Sequence, residues 1–218
     1  MAFTHSGQAL DISRLHWPVT TLGYGQRAGI WFQGCSIRCP GCCSVDTWQA
    51  GGSEVFLEQV FDWIRQLPVD DIAGFTISGG EPFDQPEALF AIVDRLRNEF
   101  CAGDQRDILV YSGYSWITLC KRHDKILQKL DVVVSEPYLK NRPVAYLRGS
   151  DNQHFHCFTA LAQIRYPHPD RQPQPALQFH LENQRLWLVG IPQPGSLDKM
   201  QQQLELAGIY VKDIAHMG

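Results

Sequence analysis

Three cysteines fall within the run Cys35-Ser36-Ile37-Arg38-Cys39-Pro40-Gly41-Cys42, and Cys43 follows directly. Thiolates at this spacing can grip a metal centre from one loop, because the small and turn-forming residues between them let the chain curl round it. A tetrahedral structural zinc and an ordinary ferredoxin cluster each take four protein ligands. A three-thiolate loop therefore matches a 4Fe-4S cubane with one iron left open. Cys43 makes a poor fourth ligand, since neighbouring residues of an extended loop point to opposite sides; packing or proximity to the centre is its expected role. Two plainer readings stand beside this one: buried core cysteines, and zinc held by the triad with a distant histidine. His154 and His156 are spaced to share one face of a strand, but no companion ligands accompany them, and they are read as surface or loop residues.

A second run, Thr76-Ile77-Ser78-Gly79-Gly80-Glu81-Pro82, closes a strand-like stretch. Strand C-termini are where parallel α/β sheets bind ligands, and glycines there let backbone come close to one. Alone, Ser-Gly-Gly-Glu-Pro is also an ordinary strand-to-helix turn. Trp31, Trp48 and Trp63 are read as packing residues, because no basic groove interleaves them. Tyr114 either approaches a substrate or fills the interior.

The elements that must hold these runs alternate. Ala28–Gln33 is strand-like and leads into Cys35; Leu57, Val60, Phe61, Ile64 and Leu67 recur at helical spacing with Ser53 as the expected N-cap. Ile72–Ile77 is a short buried strand, and Pro86 opens a helix with Leu89, Ile92, Val93 and Leu96 inward. Asp107–Tyr111 and Asp131–Val134 read as strands around a broken helical pattern over Trp116–Leu130. Such alternation predicts an α/β fold with a mostly parallel sheet. Beyond about Tyr138 the pattern weakens. Pro167, Pro169, Pro173 and Pro175 mark an exposed loop, Leu177–Leu181 with Arg185–Val189 a hairpin, and Leu197–Leu206 a helix ended by Gly208.

At 218 residues, 44% hydrophobic and 19% charged, the chain can bury a real core as one sizeable domain. Nineteen Lys and Arg against 23 Asp and Glu leave a formal charge of -4, which argues against a nucleic-acid or anionic-membrane partner. No apolar run reaches the length of a membrane span and no secretory signal opens the sequence, so a cytoplasmic protein is expected, with its seven cysteines reduced.

The cysteine spacing resembles the C-x3-C-x2-C loop of the radical S-adenosylmethionine (radical SAM) enzymes, and Ser78-Gly79-Gly80-Glu81-Pro82 resembles the motif by which they hold the methionine ammonium of the cofactor. The stretch from Tyr24 to Cys35 with Thr47-Trp48 is similar to the anaerobic ribonucleotide reductase activating enzymes, a subgroup of glycyl-radical-enzyme activases. Val110-Tyr111-Ser112-Gly113-Tyr114, Asp131–Val134 and Arg148-Gly149-Ser150-Asp151-Asn152-Gln153 match further segments in order. Gly41 before the third cysteine also follows that subgroup. Ser135-Glu136 replaces its usual Asp-Gly, and Ser44 its Asn.

The resemblance implies a partial open (β/α) barrel of the radical SAM type, a single domain over 1–218 in which 154–218 is a less typical C-terminal part packed on the barrel. It implies that Cys35, Cys39 and Cys42 hold a 4Fe-4S cluster, and that Gly41, Cys43, Ser78, Gly79, Gly80, Glu81 and Ser112 contact S-adenosylmethionine. No side chain is assigned a catalytic role. The implied activity is reductive cleavage of the cofactor to a 5'-deoxyadenosyl radical that makes a glycyl radical on a partner enzyme, with flavodoxin or ferredoxin as electron donor. The alternative is a radical SAM enzyme that modifies a small molecule or a peptide.

Overall fold

A computed structural model of the chain describes residues 7–52, 54–101, 103, 105–168, 177–182, 185–193, 195–206, 208 and 214–217. Four parallel strands form its centre: β2 (Arg27–Phe32), β4 (Gly74–Gly79), β5 (Asp107–Tyr111) and β6 (Val132–Ser135). Each is buried along nearly its whole length, which is why they read as continuous apolar runs rather than alternating ones. β1 (Ala9–Val19), β3 (Glu54–Phe56) and β7 (His154–Cys157) extend this sheet on antiparallel pairings, giving the order β3-β1-β2-β4-β5-β6-β7. The result is a mixed α/β sheet, mainly parallel at its centre.

One face of the sheet carries the larger core. Helices α1 (Leu57–Gln66), α2 (Pro86–Glu99), α3 (Trp116–Arg122) and α4 (Asp124–Leu127) bring Val60, Phe61, Ile64, Leu89, Ile92, Leu96, Leu119 and Ile126 against Ala28, Ile30, Phe32, Phe75, Ile77, Ile108, Val110 and Val133. The intervening strand residues turn to the other face. There Leu109 and Val132 pack with Leu147, Ala162 and Tyr166, and Trp31 packs with Val19, Leu22 and Val189. Helix α5 (Ala160–Arg165) belongs to this second face.

Several boundaries differ from expectation for physical reasons. α1 starts at Leu57 rather than near Ser53 because Glu54–Phe56 pairs with β1, and Gln59 Oε1 then accepts the Phe56 N–H at 2.8 Å; Ser53 lies outside the described residues. Trp116–Leu130 is two short helices, broken at His123. The hairpin is present as β8 (Gln178–Glu182) and β9 (Arg185–Val189), followed by α6 (Ser196–Leu206) and by β10 (Ile214–Met217), which pairs in parallel with β9. Pro169, Pro173 and Pro175 of the expected loop lie outside the described residues. No helix among the described residues is long and apolar enough to cross a membrane.

Candidate functional site

The central strands all end on one side of the sheet, and the chemistry-bearing runs begin there. After β2, Gly34 turns with φ 93°, its N–H donating to Thr47 O at 2.7 Å, and the Cys35 N–H donates to Trp48 O at 3.1 Å. These bonds form the neck of the cysteine loop. Gln33 tightens it from outside, its Nε2 donating to the carbonyls of Asp46 and Gln49 at 3.1 and 2.6 Å. The Ser-Gly-Gly-Glu run is tied to the same neck: the Gly80 N–H donates to Phe32 O at 2.9 Å and the Glu81 N–H to Gly34 O at 2.8 Å.

All ten site residues named from the sequence line one cavity. Cys35, Cys39, Gly41, Cys42 and Cys43 come from the loop after β2, Ser78, Gly79, Gly80 and Glu81 from the end of β4, and Ser112 from the end of β5. Glu81 is 1% exposed and bridges two strand ends. Its Oε1 accepts the Ser112 hydroxyl at 2.8 Å and the Phe83 N–H at 3.1 Å, and its Oε2 accepts the Gly113 N–H at 2.7 Å. A carboxylate has about four acceptor positions, so roughly one is left to face the cavity. Burial pushes the Glu81 carboxyl up to about 7, and these three donors hold it from rising further.

The donor set fits a three-thiolate cluster. The three thiols are half-buried on the wall of the same cavity. Burial raises the Cys35 thiol, and backbone N–H groups of Arg38 and Ile37 aimed at its sulfur oppose that rise. Cys39 is raised by burial, opposed by the Tyr138 N–H, and raised again by the neighbouring Cys42 and Cys35 sulfurs, so both of these lie within electrostatic reach of Cys39. The Ser44 N–H meets Cys42 Sγ at 3.4 Å. Amide donors pointed at sulfur are among the means by which proteins stabilise ligated thiolates. Cys43, by contrast, is pushed up to about 11, by burial and then by Cys42, the condition of a thiol kept neutral. Among the described residues no three His, Cys, Asp or Glu side chains converge as a single ion needs.

Other residues have roles the sequence did not suggest. Trp48, read as packing, lines the cavity, as do Ile37, Leu22, Tyr138 and, from the C-terminal part, Ile191 and Pro192. No local pattern marks Leu22 or Tyr138. His156 is half-buried rather than on the surface: its ring stacks on Trp116 at 3.9 Å, and Nε2 lies 3.0 Å from Ser135 Oγ. Glu136 takes a φ of 81°, a left-handed backbone that glycine adopts freely, while its Oε1 accepts the Trp116 N–H at 2.8 Å. Arg148 is buried, its Nη1 donating to Gln153 O at 3.0 Å.

Comparison with known proteins bears on the same segment. The chain is 30% identical over 135 residues to the anaerobic ribonucleoside-triphosphate reductase-activating protein of Enterobacteria phage T4, which covers 60% of this chain and 83% of that one. It is 29% identical over 147 residues to the protein of the same name from Haemophilus influenzae, 62% of this chain and 90% of that one. To the pyruvate formate-lyase-activating enzyme of Clostridium pasteurianum it is 34% identical over 120 residues, 53% of this chain and 50% of that one. Residues 21–156, the stretch that contains both the cysteine loop and the Ser-Gly-Gly-Glu turn, match the 4Fe-4S single cluster domain. The chain thus belongs to the 4Fe-4S single cluster domain family and is a relative of the radical SAM activases of glycyl-radical enzymes.

Proposed function

We propose that this chain is a radical SAM activase that installs a glycyl radical on a large partner enzyme, an anaerobic ribonucleotide reductase being the leading candidate. The observation that carries this reading is the single cavity shared by the three thiols and the Ser78–Glu81 turn, inside the segment matched to the family. Its reductase-activating relatives are matched over most of their own length.

In this reading Cys35, Cys39 and Cys42 hold the 4Fe-4S cluster. Glu81 offers its remaining acceptor position to the ammonium of S-adenosylmethionine, beside the backbone of Ser78, Gly79 and Gly80, with Ser112 fixing the carboxylate. Gly41 and Cys43 contribute backbone. Bound together, cluster and cofactor supply one-electron reduction and a carbon radical that abstracts hydrogen. The chain's own part is orientation and exclusion of water, for which a cavity with apolar walls at Leu22, Ile37, Trp48 and Ile191 is suited. Parallel strands added in one direction with α1–α4 on one face support a partial (β/α) barrel over a doubly wound sheet. The half-buried cysteines support delivery of the electron by an external donor such as flavodoxin or ferredoxin, and seven free thiols support a reducing cytoplasm.

The test is anaerobic incubation of the reconstituted chain with reductant, S-adenosylmethionine and a cognate anaerobic ribonucleotide reductase. The expected result is a glycyl-radical doublet in electron paramagnetic resonance; its persistent absence removes the activase assignment. One observation favours a second reading, modification of a small molecule or peptide. Ile191 and Pro192, outside the family-matched segment, form part of the cavity wall. Deoxyadenosine formation that depends on such a substrate and not on the reductase would decide for it.

A further inference from the structure

One carboxylate beside the cavity has no part in this reading. Asp84 ends the short turn Pro82–Asp84 that follows Glu81. Its Oδ2 accepts the backbone N–H of Ser36 at 2.7 Å, and its Oδ1 accepts the hydroxyls of Ser36 and Tyr114 at 2.9 and 2.7 Å. The two hydroxyls lie 3.4 Å from each other. Ser36 directly follows Cys35, and Tyr114 stands on the loop after β5. A single side chain therefore fastens three loops, each from a different strand end, and its grip falls one residue from a thiol that lines the cavity.

Gly41, at φ 80°, gives the cysteine loop a freely rotating point, so outside anchors help to fix its shape. Its neck is held by Thr47 and Trp48 carbonyls, but the Ser36 N–H turns to Asp84. A negative charge at this distance also acts on whatever the thiols hold, because the potential of an iron-sulfur cluster follows net charge, hydrogen bonding and exposure around it. We propose that Asp84 is a positioning residue for the cysteine loop, and that its charge lowers the reduction potential of the cluster. This rests on the reading that Cys35, Cys39 and Cys42 carry a 4Fe-4S cluster.

The experiment uses the full chain, reconstituted anaerobically with iron and sulfide and without S-adenosylmethionine. Iron content, iron release to a chelator and the midpoint potential from a resonance-monitored redox titration are compared among wild type, Asp84→Asn, Asp84→Glu and the double variant Ser36→Ala/Tyr114→Phe. Asp84→Asn is expected to move the midpoint positive, raising the reduced-to-oxidised ratio several-fold at the wild-type midpoint; a tenfold rise corresponds to about 59 mV for one electron. It should also release iron several-fold faster, since an amide has one acceptor oxygen where the carboxylate uses two. Asp84→Glu keeps the charge and returns the potential toward wild type. The double variant keeps the charge but loses both hydroxyl contacts, so it should release iron faster at an unchanged potential. A purely structural role would not produce that separation. Wild type that loads iron, with Asp84→Asn matching it in potential and the double variant matching it in release, overturns this proposal alone. Wild type that takes up no iron overturns the cluster reading and this proposal with it.

Discussion

At Gly80 the room for a side chain is already taken: a Cβ would come 2.0 Å from the Gly34 carbonyl oxygen, and at Gly79, with φ 109°, one would come 2.4 Å from the backbone of Phe32. The sequence suggests that this pair serves close approach of a ligand. In the structure it first serves close approach of the chain's own cysteine-loop neck, so both motifs are fixed by one contact. Gly80→Ala is expected to cost about 1–3 kcal/mol, as overpacking against unyielding backbone does, and to lower iron uptake; urea denaturation and iron analysis check it. Glu81 gives a pH signature. Its carboxyl rises from an ordinary 4.5 to about 7, through burial first and with the Asp84 charge adding to it. The folded chain thus holds a proton that the unfolded chain has released. The contribution is full below about pH 4.5 and is lost as pH rises through 7, at most about 3 kcal/mol. Glu81→Gln should flatten that slope between pH 5 and 8 in thermal unfolding of the ligand-free chain; an unaltered slope would refute the assignment. A cation placed at the remaining acceptor position would reverse the preference and hold Glu81 ionised.

The central strands and the two long helices were legible because each carries its own signal: both-sided burial writes β2, β4, β5 and β6 as apolar runs, and α1 and α2 show a helical period. The site's cysteines and its Ser-Gly-Gly-Glu turn were legible through spacing. β1 was not, since Ala9–Val19 is mostly half-buried and becomes a strand only by pairing with β2 and β3. Trp48, Tyr138, Ile191 and Pro192 were missed for a related reason: their place on the cavity wall is set by loops that meet only in the folded chain. The last two arrive with the β8–β9 hairpin, which docks through Val189 against Val19, Leu22 and Trp31, with Thr21 Oγ1 donating to Val189 O at 3.0 Å. Gln178 adds Nε2 to Pro18 O at 2.5 Å. Val189→Ala removes two fully buried methyl groups and should cost about 1–3 kcal/mol. If the C-terminal part folds as one unit with the sheet, unfolding stays a single transition at a lower midpoint; a separate early transition would show an independent unit.

Over the whole molecule, the cavity lies at the strand C-termini while the opposite end of the sheet is locked by charge. Arg27 on β2 and Asp107 on β5 are both 0% exposed. The guanidinium donates to Asp107 through Nη1 at 3.0 Å and Nη2 at 2.9 Å, to Thr76 Oγ1 on β4 at 2.6 Å and to Phe75 O at 2.6 Å. Tyr166 donates to the same carboxylate at 3.0 Å, and Arg165 also pairs with it. One ion pair thus spans three parallel strands and brings α5 onto them, leaving the other end free to carry loops chosen for chemistry rather than stability. Burial alone would raise the Asp107 carboxyl, but the charges and hydrogen bonds of Arg27 and Arg165 outweigh it and hold the group below its ordinary 3.8. A depressed carboxyl contributes stability above its unfolded value and loses it as pH falls through the lower folded one, so this contribution disappears below about pH 4. Asp107→Asn should therefore do two things. It should destabilise the chain at neutral pH by about 3–5 kcal/mol, because the Arg27 charge stays buried without its counter-charge. It should also remove this part of the acid-induced loss. Replacing both partners, as Arg27→Met with Asp107→Leu, should recover part of the neutral-pH loss, since the fully buried Arg27 charge is gone and only the less buried Arg165 is left without its partner. Urea denaturation of the wild type and the two variants at pH 7 and pH 3.5 checks this, and a double variant no more stable than Asp107→Asn would show that the hydrogen bonds to Thr76 and Phe75, rather than the charge balance, hold the strands together.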